Sequence, residues 1–192
     1  DRNGNGYCFN VDGKDVEYCL YENGELKRVI QMFTGNEMTE NDANGKRVYV
    51  GGYAGDMKNG FVRNGRGYCV NDEIAKQYCE YENGKMKRVM QEFNGSIMVE
   101  YDGKRVYEGG WKGDMNSGFV RDGKSNELDE NERVKRVCVY ENGRMKRVVQ
   151  EFNGEMMIEY DENGKKVYEG GFNGFDRNGN GYCFNVDGKD VE

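Results

Sequence analysis

Apolar residues fall in short runs, each closed by a glycine-containing turn every eight to twelve residues. That spacing predicts short antiparallel strands joined by hairpins. The run from Leu26 to Phe33 has apolar residues at Leu26, Val29, Ile30 and Phe33, which suits a helix face. It spans only about two helical turns between glycine turns, too little for a stable isolated helix. Two-residue turns at Asn94-Gly95 and Asp102-Gly103 would set Met90 opposite Val99, and Val99 opposite Val106. Val149, Ile158 and Val167 would form the same row further on. One face then collects Tyr81, Met86, Met90, Ile97, Val99 and Val106 as the predicted core side, with Val89, Gln91, Glu100 and Arg105 turned away.

The runs repeat. Tyr-Glu-Asn-Gly begins at Tyr21, Tyr81 and Tyr140, and each copy leads into a near-copy of one ten-residue segment ending at Gly35, Gly95 and Gly154. A second landmark recurs at Lys46, Lys104 and Lys165. A fixed period of about 60 residues predicts a repeat architecture. The expected fold is all-β, an elongated solenoid or meander of hairpins with about 20 residues each. Its units are residues 1–66, 67–125 and 126–175, and 176–192 begins the next. Four-residue loops at Asp42–Gly45 and Asp161–Gly164, against two residues at Asp102, account for the uneven period.

Composition narrows the function. The chain has 29 glycines, no proline and no histidine. The missing histidine removes the commonest general base and metal ligand. No apolar run approaches the roughly 20 residues of a membrane-spanning helix, and no leader segment or initiator Met is evident. Net charge is −7, which opposes binding to nucleic acid or an acidic membrane. Basic dipeptides begin at Lys27, Lys46, Lys87, Lys104, Lys135, Lys146 and Lys165. The turns would set Glu40 opposite Arg47, Glu100 opposite Arg105 and Glu159 opposite Lys166, an ion-pair ladder rather than a lipid-binding stripe.

The segment Val106 to Lys124 resembles a MORN repeat, with its Tyr-x-Gly-x-aromatic pattern followed by spaced glycines. Tyr49 to Tyr53 and Tyr168 to Phe172 repeat the match, and the intervening Tyr-Glu-Asn-Gly segments resemble the bacterial-type variant. Asn126 to Arg136 departs from the pattern, and cysteines are not a family feature. The resemblance implies an aromatic and glycine core at Tyr49, Gly51, Tyr53, Tyr107, Gly109, Trp111, Tyr168, Gly170 and Phe172. It also implies a role in scaffolding, dimerisation or membrane association, with no catalytic domain in evidence.

Asp1–Glu17 recurs without change as Asp176–Glu192, whereas the internal copies have diverged. The economical reading is one window of a longer array with a 175-residue super-repeat; an engineered overlap of the ends is the alternative. Matching ends extend a stack rather than close it, so the expected product is a filament of head-to-tail copies.

Six cysteines are present. Cys8 with Cys19, and Cys69 with Cys79, are candidate disulfides, which would place the protein outside or on the cell surface; buried thiols and a cytoplasmic scaffold are the alternatives. A two-residue turn at Asp12-Gly13 would leave Cys8 and Cys19 diagonal rather than opposed. Cys138 is the odd residue, a candidate for bonding between chains. Asp1, Asn3, Asn5 and Asp12 have the spacing of a calcium loop, yet no helices flank them and hairpin turns explain the same residues. Asn94-Gly95-Ser96 is a possible glycosylation sequon.

The sequence therefore predicts a non-enzymatic structural protein without cofactor or metal. The alternative is a MORN-type scaffold or a membrane-associating module.

Overall fold

A computed structural model describes residues 2–10, 13, 15–185 and 190–191. They contain seventeen strands and no helix, so the Leu26–Phe33 run is strand, as expected. The chain divides into two compact units, residues 1–93 and 94–192, each an antiparallel meander.

The first unit holds β1 (Gly4–Phe9), β2 (Val16–Glu22), β3 (Glu25–Thr34), β4 (Glu37–Asn41), β5 (Arg47–Asp56), β6 (Gly60–Asn71), β7 (Ile74–Glu82) and β8 (Lys85–Asn94). The second holds β9 (Ile97–Asp102), β10 (Lys104–Asp114), β11 (Gly118–Leu128), β12 (Val134–Glu141) and β13 (Arg144–Asn153). It continues through β14 (Met156–Tyr160), β15 (Lys166–Asn173), β16 (Asp176–Phe184) and β17 (Asp190–Val191). One sequence period is therefore five strands, from β2 to β6, β7 to β11 and β12 to β16, in the hairpin meander that was expected.

The turns explain the strands. In each Tyr-Glu-Asn-Gly copy the two loop residues both take positive φ: 52° and 87° at Asn23 and Gly24, 49° and 81° at Asn83 and Gly84, 53° and 78° at Asn142 and Gly143. That is a type I′ turn, whose twist matches that of the flanking strands. The loops after Asp42 and Asp161 close with Asp42 N–H bonded to Lys46 O and Asp161 N–H to Lys165 O, both at 2.8 Å. Asp129 and Arg133 make the same closure at 2.8 Å, so Asn126–Arg136 departs in sequence yet keeps a turn used elsewhere. Here Glu132, at φ 59°, stands where Gly45 and Gly164 stand.

An odd number of strands per period has a direct consequence. Equivalent strands run in opposite directions, so equivalent side chains emerge on opposite faces of the sheet. Within the first unit Tyr18 of β2 packs into a cluster with Phe33, Met38, Tyr49, Cys79 and Tyr81. Tyr78, the counterpart of Tyr18, pairs with Tyr68. Tyr68 and Tyr78 adjoin Cys69 and Cys79, which belong to the Tyr49 cluster, so the Tyr68–Tyr78 pair lies on the reverse face. Both faces of the meander therefore carry apolar clusters.

The predicted core row does not form. Val99 faces Glu108 rather than Val106, and Arg105 faces Tyr101, with a register shift between Arg105 and Tyr107. Arg105 thus shares a face with Val99. In the third period Ile158 faces Glu151 instead of Val149. The turns are the cause: Gly103 alone reverses the chain between Asp102 and Lys104, and Gly154-Glu155, not Asn153-Gly154, is the turn pair. Met98 and Tyr107, on the face assigned outward, are fully buried and Met86 and Ile97 are exposed, while Tyr81 is buried as expected. Tyr49 and Tyr107 are wholly buried, and Tyr168 nearly so.

The two copies of the 17-residue segment agree in part. Gly4 and Gly179 have φ of 85° and 75°, and both copies enter strands. The returning strand differs: Cys8 faces Glu17, but Cys183 faces Val191, one residue out of step with the expected identity. β2 is held on its far side by β3; among the described residues β17 pairs with β16 alone, which leaves its register weakly specified.

Tyr49 fixes which glycines are obligatory. A Cβ on Gly67 would lie 2.4 Å from the Tyr49 hydroxyl oxygen, whereas one on Gly6, the equivalent position in β1, would meet nothing within 4 Å. Gly67→Ala is expected to destabilise by about 1–3 kcal/mol through overpacking, and Gly6→Ala to change stability by less than about 0.5 kcal/mol. Urea unfolding of the two variants measures the difference.

Candidate functional site

The recurrent chemistry is a cluster built on each Tyr-x-Gly-Gly segment. β5 brings in Tyr49, whose hydroxyl donates to Gly52 O at 2.8 Å; Tyr107 and Tyr168 repeat the bond to Gly110 O at 2.7 Å and Gly171 O at 2.8 Å. The ring lies across the neighbouring strand, where Gly67 and Gly181 leave room for it. On its other side stands an arginine: Arg63 over Tyr49 at 4.5 Å, Arg121 over Tyr107 at 4.4 Å, Arg177 over Tyr168 at 4.6 Å. A guanidinium at that distance is attracted by the ring quadrupole.

A glutamate fixes each arginine. Arg63 Nη2 is 2.6 Å from Glu40 Oε2, Arg121 Nη2 2.6 Å from Glu100 Oε2, and Arg177 Nε 2.5 Å from Glu159 Oε2. These glutamates face Tyr49, Tyr107 and Tyr168 across the ladder, not the basic residues first expected opposite them. Those bases pair elsewhere: Arg47 with Glu73, Arg105 with Glu108 and Glu132, and Lys166 with Glu169. The ladder of ion pairs is real, but its rungs connect different residues because a bulge precedes each tyrosine.

The Tyr-Glu-Asn-Gly turn completes the cluster. Gly84 N–H donates to Arg63 O at 2.9 Å, and Gly24 and Gly143 donate to Arg2 O and Arg121 O at 2.8 Å. Arg63 Nη1 donates to the Tyr81 hydroxyl at 3.4 Å, Arg2 Nη1 to Tyr21 at 3.4 Å, and Arg121 Nη1 to Tyr140 at 3.1 Å. The second tyrosine then meets a third group. Cys69 Sγ lies 2.8 Å from the Tyr81 hydroxyl and Cys8 Sγ 2.8 Å from that of Tyr21, while Tyr140 donates to Glu127.

Cysteine chemistry follows from this placement. All six cysteines are free thiols in the structure, so Cys8 with Cys19 and Cys69 with Cys79 are unbonded neighbours. Gly6 faces Cys19 and Cys8 faces Glu17, the diagonal relation expected from the turn. A hydrogen bond from Cys79, with help from Tyr81 and Arg63, lowers the Cys69 thiol below the ordinary range against the opposing effect of burial. Burial pushes Cys138 up to about 11, and its full burial closes it to a second chain unless the sheet opens. Asn94 is exposed at the end of β8.

Asp1 and Asp12 of the candidate calcium loop lie outside the described residues; Asn3 and Asn5 are exposed. Among the described residues no group of three acidic, cysteine or histidine side chains is placed to hold a metal. Sequence reasoning missed the Arg2, Arg63, Arg121 and Arg177 series, although Arg63, Arg121 and Arg177 each follow a glycine by three residues and recur with the period. No family model matches the chain, and no curated protein matches it significantly.

The buried phenols set the alkaline limit of the fold. Burial pushes Tyr49 and Tyr140 up to about 12, above the roughly 10 of a free phenol. The folded state holds these protons more tightly than the unfolded chain, so stability is complete below pH 10 and falls as pH rises towards 12. Denaturant midpoints measured across that interval should decline, with phenolate absorbance lagging behind that of free tyrosine.

Proposed function

We propose that the chain is a structural element that self-associates head to tail into a filament, a scaffolding role of the kind its MORN-like segments imply. The supporting observation is that the repeated cluster is present as two complementary halves. Arg177 has Glu159 and Tyr168 but no second tyrosine among the described residues. Arg2 has Tyr21 and the Gly24 turn but, among the described residues, no glutamate or first tyrosine. Because Asp1–Glu17 and Asp176–Glu192 are identical, β1 of one copy fits the place that β16 occupies against β15 of another. It would bring β2 with it, and so supply Tyr21 and Cys19.

Such a contact is heterologous, and heterologous contacts that do not close give open filaments. Exposed main-chain edges supply the same tendency to pair. A lipid-binding module is less well supported, because Lys27, Arg47, Lys87, Arg105, Arg136, Lys146 and Lys166 are matched by carboxylates.

Charge exchange at the shared cluster provides the test. Arg2→Glu and Glu159→Arg should each stop filament growth seen by electron microscopy and sedimentation, and the double variant should restore it. Wild-type protein that stays monomeric at high micromolar concentration overturns the proposal, as does growth indifferent to both substitutions. A monomer that co-sediments with anionic vesicles would establish the membrane module instead.

A further inference from the structure

The third period differs from the first where an aromatic pair should cover an aromatic triad. In the first unit Phe33, Tyr53 and Phe61 pack together, with Phe33–Phe61 centroids 4.5 Å apart and Tyr53–Phe61 5.6 Å. Tyr7 closes on Phe61 at 6.0 Å and on Tyr18, its cross-strand partner, at 4.8 Å. The triad recurs in the second unit as Phe152, Phe172 and Phe175, with Phe152 5.0 Å from Phe172 and 5.8 Å from Phe175. Even its anchor recurs: Gln31 Nε2 donates to Phe61 O at 3.4 Å, and Gln150 Nε2 to Phe175 O at 3.0 Å.

The cover is what changes. The positions of Tyr7 and Tyr18 are taken by Asn126 and Val137, which face each other across β11 and β12. The middle period keeps its pair, Tyr68 stacked on Tyr78 at 4.5 Å. Two rings are thus replaced by two smaller side chains over a conserved aromatic floor. Two clefts meet at Phe175, one of about 320 Å³ bounded by Asn126, Val137, Glu108 and Lys124, the other of about 410 Å³ bounded by Val134, Phe152 and Phe172. Phe175 is 47% exposed.

We propose that this cleft binds a single phenolic ring, seated on Phe175 against Val137 where the first period seats its own tyrosines. Offset or edge-to-face contact with Phe175 and Phe152 supplies the apolar part of recognition. Asn126 and Lys124 offer the polar contact that a hydroxyl requires and a plain hydrocarbon leaves unused, the usual division of labour in a small-ligand pocket.

Titration of the full chain followed by NMR tests the site with two probes. 4-Ethylphenol represents a free phenol, and N-acetyltyrosinamide a tyrosine presented by another polypeptide. Saturable binding with Kd on the order of 1 mM or tighter is expected, with shifts centred on Val134, Val137, Phe152 and Phe175. The Asn126→Tyr, Val137→Tyr variant refills the cleft and should weaken binding by about tenfold or more. Phe175→Leu removes the platform and should also weaken it, with a smaller change in packing. The tighter of the two probes identifies the source of the ring. Absence of saturation, shifts centred elsewhere, or undiminished affinity in both variants overturns the proposal.

Discussion

The buried tyrosine that opens each Tyr-x-Gly-Gly segment is held from three directions. Its hydroxyl is tied to a carbonyl three residues on, its ring lies on a strand that carries only glycine or serine there, and an arginine caps the other side. Each tie constrains another part of the sheet. Beside the ring the next strand carries glycine at Gly67 and Gly181 and the small Ser125 in the middle copy, and the arginine demands the glutamate that faces the tyrosine. The arginine carbonyl receives the Tyr-Glu-Asn-Gly turn of the strand pair beyond. Successive strands are therefore joined by more than their backbone ladders. A repeat protein gains most of its stability from such nearest-neighbour terms, and here the term can be named residue by residue.

The five-strand period gives that term an unusual setting. With an even count, equivalent side chains would share one face and the other would be free for water. With five, Tyr18 and Tyr78 emerge on opposite faces, and apolar clusters are needed on both. That accounts for strands that do not read as a simple inside and outside alternation, and for polar residues such as Gln150 and Ser125 among the most buried.

Much of the fold was legible because turns are local. The Asn-Gly of Tyr-Glu-Asn-Gly is the signature of a type I′ turn, and both of its residues take positive φ in all three copies. Register was not legible, because it depends on bulges. A register shift precedes both Cys19 and Tyr21, and the equivalent shifts recur at Cys79, Tyr81, Cys138 and Tyr140; each shift reverses the expected face. Val99 and Val106 look like a core row until Gly103 reverses the chain alone. The cluster was half legible: Tyr49, Tyr107 and Tyr168 stood out by their glycines, and the arginines did not, since a charged residue after a turn is ordinarily solvated. Only the sheet brings Arg63 to Glu40 across 23 residues. The aromatic cleft was illegible for a related reason, since Asn126 and Val137 acquire meaning only beside the Tyr7–Tyr18 and Tyr68–Tyr78 pairs that they replace.

The central claim is that the arginine and the tyrosine act as one unit rather than as two separately buried side chains. A double-mutant cycle on Tyr49→Leu and Arg63→Met, read by urea unfolding, measures that coupling directly. A partly desolvated cation on a ring predicts a coupling energy of about 1–2 kcal/mol. Single-variant losses that add to within about 0.3 kcal/mol would contradict it.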